Sequence, residues 1–236
     1  MTAQQDAGGR TDRPAGGASP VRLPDQPAGT GLAGGAAPVR LPDPPAGISG
    51  PAVWTLVDRS ALRARVDELG ARLRADYQGL EPILVSVLRG AVMFLADLVR
   101  TAAMPCQIDF MAVERYRTSD ETGVVRILKD LQLDVTGAHV VLVEDVVDSG
   151  LTLAYLLEVL AARRPASLRV CALLDKRARR LVNVPLAYVG FEIPDTFVAG
   201  YGLDFDEHER GRDEVLAVAD PDAVRRDPRL LPPIGA

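Results

Sequence analysis

Cysteine is scarce here: Cys106 and Cys171 are the only two in 236 residues. Both fall in apolar, strand-like runs, where a thiol serves as a small core residue. A pair so placed gives no disulfide framework and no thiolate metal site. The expected compartment is the reducing cytoplasm. Basic excess is also missing. Lys and Arg number 27 against 32 Asp and Glu, for a net charge of -5 and a pI near 5.2. That balance argues against a nucleic-acid surface, which needs a basic face. No apolar run reaches the length of a membrane span. Met1 to Asp6 lacks a basic region followed by an apolar core, so no secretory signal is expected.

Aromatic residues are absent from residues 1–50, which are rich in Gly, Ala and Pro. Such a segment buries too little apolar surface to offset its ordering entropy, so residues 1–50 are expected to be disordered. The tail contains a duplication. Gly16 to Gly29 returns nearly unchanged as Gly34 to Gly47. Two Pro-rich copies are too few for a solenoid. A duplicated linker is the plain reading and a docking motif the alternative.

The informative stretch is Val140 to Thr152. Val140 to Val143 reads as a buried strand of a parallel sheet. Glu144 and Asp145 end it, Asp148 follows, and Ser149, Gly150 and Thr152 lead into a helix over Leu153 to Leu160. A strand, a tight loop and a helix place ligands at the carboxyl edge of an open α/β sheet. Gly150 permits close backbone approach, Ser149 and Thr152 bring hydroxyls, and the first helical amides are free to meet a phosphate. A nucleotide-triphosphate loop would carry a lysine after its second glycine, and none is present. Three acids beside a phosphate site suit a ligand that is phosphate at one end and polyol at the other. They also suit a Mg²⁺ carried by that ligand.

This stretch resembles the phosphoribosyl pyrophosphate (PRPP) motif of type I phosphoribosyltransferases. Within them it is similar to the hypoxanthine-guanine branch, whose version runs V-E-D-I-I/V-D-S/T-G-x-T. The resemblance implies an α/β fold with a twisted, mostly parallel sheet, flanking helices and a small hood. It assigns ribose and 5-phosphate to Glu144, Asp145, Val147, Ser149, Gly150, Leu151 and Thr152. Asp148 becomes the catalytic acid-base group.

The rest of the chain extends the resemblance. Ser60 is expected to cap a helix with Leu62, Val66, Leu69 and Leu73 on one stripe, ended by Gly79. Pro82 to Leu88 reads as a strand, and Arg89-Gly90 leads into a helix over Ala91 to Ala103. The run is similar to the family's L-L-R-G-x-x-M-F, whose loop carries a cis peptide and holds pyrophosphate. Gln107 to Val113 and Val124 to Leu128 read as a hairpin, the family's lid. Tyr116 is kept there as a pyrophosphate contact, while Arg115 and Arg117 replace the family's Ser and Gly. Ser167 to Leu174 is a strand ending at Asp175-Lys176, where the family's lysine meets the purine 6-oxo group. Ala187 to Asp195 and Thr196 to Asp204 resemble the hood. By that resemblance Phe197 stacks on the base, Val198 offers backbone groups to it, and Asp204 lies beside the base and the metal. Metal assignments are Glu144, Asp145 and Asp204. Arg210 falls at the family's pyrophosphate arginine, with Arg212 the alternative, and the family's flanking aromatics are missing.

The expected organisation is a tail over 1–50, a phosphoribosyltransferase domain over 51–215, and an irregular tail over 216–236. The implied reaction moves phosphoribosyl from PRPP to N9 of hypoxanthine or guanine with Mg²⁺, giving IMP or GMP. PRPP and a purine base are the partners, and a dimer or tetramer is implied. The alternatives are an enzyme for xanthine or a modified base, and a PRPP- or nucleotide-sensing regulator without turnover.

Overall fold

Alternation along the strands decides the architecture. In β3 (Ile83–Leu88), β6 (His139–Val147) and β7 (Ser167–Asp175), successive apolar side chains point to opposite faces. Leu84, Val141, Val143, Cys171 and Leu173 enter one core, with α1 (Arg59–Asp76) and α2 (Val92–Ala102). Ile83, Val85, Val140, Leu142 and Val170 enter the other, beneath α3 (Leu151–Ala161). A sheet apolar on both faces must be covered on both, as parallel sheets are.

The computed structural model describes residues 37–41, 53–116 and 124–234. Seven strands form the main sheet. From one edge they are β1 (Val39–Arg40), β8 (Tyr188–Glu192), β7, β6, β3, β4 (Gln107–Tyr116) and β5 (Val124–Lys129). All neighbours are parallel except the β4–β5 hairpin. Connections from β3 run to one side and those from β6 to the other. The strand order therefore reverses between β3 and β6, the crevice where open α/β sheets bind ligands. The hood is a separate antiparallel sheet ordered β2 (Val53–Val57), β10 (Val215–Val218), β9 (Phe197–Ala199). Among the described residues no helix is long and apolar enough to cross a membrane.

Three expectations change. The helix cap is Asp58, whose Oδ1 accepts from the Ala61 amide at 2.9 Å; Ser60 Oγ donates to the same oxygen at 2.6 Å. A carboxylate preceding the first turn takes the cap because it also meets the positive helix end. Residues 216–236 are not irregular. Val215–Val218 is buried in the middle of the hood sheet, and α4 (Pro221–Arg226) follows, capped by Asp220. Finally, residues 37–41 of the expected disordered tail supply the edge strand β1. The rest of residues 1–50 lies outside the described residues apart from this piece. Both cysteines are free thiols; Cys171 is buried in the core, where burial pushes its thiol up to about 12.

Candidate active site

The loops after β3 and β6 meet at the crevice. The Leu88–Arg89 peptide is cis, at the loop where the family resemblance implied one. Gly90 has no room for a side chain: a Cβ there would lie 1.6 Å from Asp145 Oδ2. Gly202, at φ +96°, presses on the same loop, since its Cβ would lie 2.0 Å from the Gly90 carbonyl oxygen. Two glycines thus let the hood, the Arg89 loop and the end of β6 close on one another.

The acid pair sits at this junction. Glu144 is buried, and its carboxyl is held well above the usual range, first by burial and then by the Asp145 charge. The Asp145 carboxyl is pushed up to about 6, chiefly by burial and also by Asp204, while the amide it accepts from Val146 and the charge of Arg210 pull the other way. Two carboxyls desolvated together favour a ligand that brings hydroxyl donors or a cation.

Above them lies a set of alternating charges. Arg210 donates to the Gly202 carbonyl at 2.9 Å and lies 3.1 Å from both Asp204 and Glu207. Arg89 pairs with Glu207 at 2.9 Å. Arg212 is excluded from this set. It is buried, paired with Glu209 and bonded to the Pro232 carbonyl, and it fastens the C-terminal segment to the hood. Burial separates two arginines that the chain places two residues apart. Tyr116 ends β4 opposite Val124, at the base of the hairpin. Residues 117–123, with Arg117, lie outside the described residues.

The phosphate-loop candidates surround a cavity of about 240 Å³ lined by Glu144, Val147, Asp148, Ser149, Gly150 and Thr152. Leu151 itself opens α3, whose N-cap Gly150 gives no side-chain cap; the Leu151 amide lies 3.5 Å from Ser149 Oγ, and the first helical amides are left without intrahelical partners beside this cavity. Gly150 takes φ +83°, and a Cβ would lie 2.7 Å from the Val182 carbonyl oxygen. The Ser149 carbonyl in turn accepts from the Leu181 and Val182 amides at 2.9 and 3.1 Å, which fixes the loop from behind.

Asp148 and Lys176 form the adjoining wall. The Lys176 amide donates to the Val147 carbonyl at 3.0 Å. Burial lowers the Lys176 ammonium, against the opposing charges of Asp148 and Asp195. Asp148 Oδ1 is 2.8 Å from Arg179 Nε, and Arg179 reaches Asp195 at 3.3 Å. Arg179 and Glu207 are thus members of the constellation that the pattern of residues did not single out. On the hood, Phe197 is half-buried and meets Phe205 edge to face, with centroids 5.4 Å apart. Val198 lies in β9, the edge strand of the hood, so one side of its backbone has no strand partner among the described residues. The same holds for metals: no three His, Cys, Asp or Glu side chains there converge as a cation cage. Glu144, Asp145 and Asp204 therefore do not form one closed site.

Comparison with known proteins bears on this geometry. The phosphoribosyl transferase domain model matches residues 54–206. A hypoxanthine-guanine phosphoribosyltransferase of Mycobacterium avium is 50% identical over 162 residues, 66% of this chain and 80% of its own. A hypoxanthine phosphoribosyltransferase of Haemophilus influenzae is 46% identical over 159 residues, covering 66% and 89%. The crystal structure of a hypoxanthine-guanine phosphoribosyltransferase from Bacillus anthracis superposes with a TM-score of 0.67 at 39% identity, covering 71% of this chain and 98% of that one. With the motif, the parallel sheet and the crevice in agreement, the chain belongs to the phosphoribosyl transferase domain family.

Proposed function

We propose that the chain transfers the 5-phosphoribosyl group of PRPP to N9 of hypoxanthine or guanine, releasing pyrophosphate and forming IMP or GMP. The observation that carries this is the crevice between β3 and β6. It juxtaposes a carboxyl pair for ribose and a helix N-terminus without a side-chain cap, with Ser149 and Thr152, for the 5-phosphate, and a half-buried lysine, Lys176, adjoins them beside Asp148.

These positions support the following roles. Glu144 and Asp145 accept from the vicinal ribose hydroxyls. Val147 to Thr152 surround the 5-phosphate through amides and hydroxyls. Arg89, Gly90, Tyr116 and Arg210 receive the pyrophosphate, the arginines by charge and Gly90 by leaving room. Lys176 donates to the 6-oxo group, Phe197 packs on the ring, and Val198 meets its edge through the backbone. As the C1–O bond to pyrophosphate breaks, the N9–C1 bond forms and the ring must lose a proton. In this reading Asp148 takes it, most directly at N7, and the Arg179 guanidinium 2.8 Å away supports the carboxylate.

Magnesium fits this chain as an ion that arrives with PRPP. Asp145 is a desolvated carboxyl that a cation would relieve, and the Asp204 charge faces it, while no full cage exists among the described residues. That matches an ion held by one or two carboxylates and completed by phosphate oxygens and water. Glu144, Asp145 and Asp204 are the residues that would share it. When bound, it would neutralise charge on the leaving pyrophosphate.

The test is an assay with labelled PRPP against hypoxanthine, guanine, xanthine and adenine. Label appearing in IMP and GMP is the expected result. Turnover with xanthine alone, or PRPP binding without product, would overturn the assignment.

A further inference from the structure

The edge strand β1 comes from the second copy of the tail repeat. Val39 and Arg40 pair in parallel with Phe191 and Glu192 of β8. The Leu41 amide donates to the Glu192 carbonyl at 2.9 Å. The Ala37 carbonyl accepts at 3.2 Å from Arg65, a buried guanidinium that also holds the Val189 and Gly190 carbonyls. Leu41 packs against the core beneath α1 and α2. The Arg40–Glu192 contact, at 3.5 Å, is solvent-exposed on the arginine side and adds little. Backbone pairing and Leu41 therefore hold the segment. Pro38 and Pro42 cannot donate to a ladder, so they limit the strand to a short edge piece.

The residues that make these contacts on the tail side have counterparts earlier in the sequence. Pro20-Val21-Arg22-Leu23-Pro24-Asp25 is identical to Pro38-Val39-Arg40-Leu41-Pro42-Asp43. Ser19 replaces Ala37, but the contact at that position is made by a main-chain carbonyl, which serine also has. We propose that the β8 edge is a docking site for this six-residue unit. Its second occupant is the segment Pro20–Asp25 of the same chain, exchanging with Pro38–Asp43. β8 offers one free edge, so one copy docks at a time.

Chain length sets the balance. Leu41 is separated from Val53 by 11 residues and Leu23 by 29. Closure probability falls as about the three-halves power of loop length, which favours the nearer copy by about fourfold. The farther copy would then hold the edge about one-fifth of the time. Tethering gives either copy an advantage over the tail of a separate molecule.

Amide hydrogen exchange on the full chain tests this. In the parent, the Leu41 amide is protected and the Leu23 amide nearly unprotected. Leu41→Asp places a charge where Leu41 meets the core, so the Leu23 amide slows several-fold as its segment takes the edge. Leu23→Asp leaves Leu41 protected, and the double variant protects neither. An unprotected Leu41 amide in the parent, or Leu23 exchange unchanged in Leu41→Asp, overturns the proposal. Protection of Leu23 that appears only as protein concentration rises would mean docking on a second molecule, and would overturn exchange within one chain.

Discussion

Asp145→Asn should make the ligand-free protein more stable, and only above acid pH. Burial raises the Asp145 carboxyl from 3.8 to about 6. Unfolded, the same group titrates near its ordinary value, about 3.9. Between those values the folded state keeps a proton that the unfolded state has released. Stability therefore falls as pH rises through this window, and the whole cost is present above about pH 6. At about 1.4 kcal/mol per pKa unit, that cost approaches about 3 kcal/mol. Glu144 is raised partly by the Asp145 charge, so removing that charge eases Glu144 in the same direction. Asparagine keeps the shape, and its Oδ1 can still accept the Val146 amide, which is 2.7 Å from Asp145 Oδ1. Thermal unfolding without metal or PRPP, run from pH 4 to pH 8 on parent and variant, reads the effect. The two should melt together near pH 4. At pH 8 the variant should melt up to about 6–12 °C higher, at about 2–4 °C per kcal/mol for a chain of this size. PRPP binding, by titration calorimetry, should weaken in the same variant. A difference independent of pH, or a variant less stable at pH 8 than at pH 4 relative to the parent, would refute the reasoning.

Gly90→Ala should retain the fold by circular dichroism yet lower kcat/KM by about 10²-fold or more. Its methyl would displace the Asp145 carboxylate, and misplacement by about 1 Å at a reacting centre costs that much. Asp148→Asn cannot take a proton, so kcat should fall by about 10²–10⁴-fold while PRPP affinity by calorimetry stays close to the parent's. A kcat within about threefold of the parent's, well short of that range, would leave Asp148 a structural residue. Arg115→Ser with Arg117→Gly restores the family pattern in the hairpin. Steady-state kinetics should show a higher kcat if the native lid is impaired, and an unchanged or lower one if these arginines serve a ligand of their own.

The sheet and the loop after β6 were legible because everything they need lies within a few residues. Four apolar residues, two acids and a Gly-centred turn describe strand, edge and helix start in one stretch, and a βα loop follows its own strand in sequence. The hood was legible only in part. Val215–Val218 is four residues long, and its partners are Val53–Val57 and Phe197–Ala199. So short a run, paired across more than 150 residues on one side, has no local period that distinguishes it from a tail. The β1 segment is hidden for the same reason. Its prolines mark a linker unless the open edge of β8 is known, and then the same prolines suit an edge strand.

Charged residues divide along that line. Arg210 and Arg212 carry the same group two positions apart, yet one lies among Asp204, Glu207 and the Gly202 carbonyl while the other is sealed against Glu209 and the Pro232 carbonyl. Nothing local separates them, because the distinction is burial created by the C-terminal segment folding back. Arg179 and Glu207 read as solvated charges until three loops converge. Arg179 meets Asp148 from the loop after β6 and Asp195 from the turn before β9, and Glu207 bridges Arg89 and Arg210. A charge that only links other side chains leaves no pattern of its own, since its spacing is set by loops that tolerate any length. Such linkers are found by asking what holds a candidate acid or arginine in place. Here that question leads from Asp148 to Arg179 and from Arg89 to Glu207, so the positioning of the proposed proton acceptor and of the arginines proposed for pyrophosphate rests on residues outside every motif.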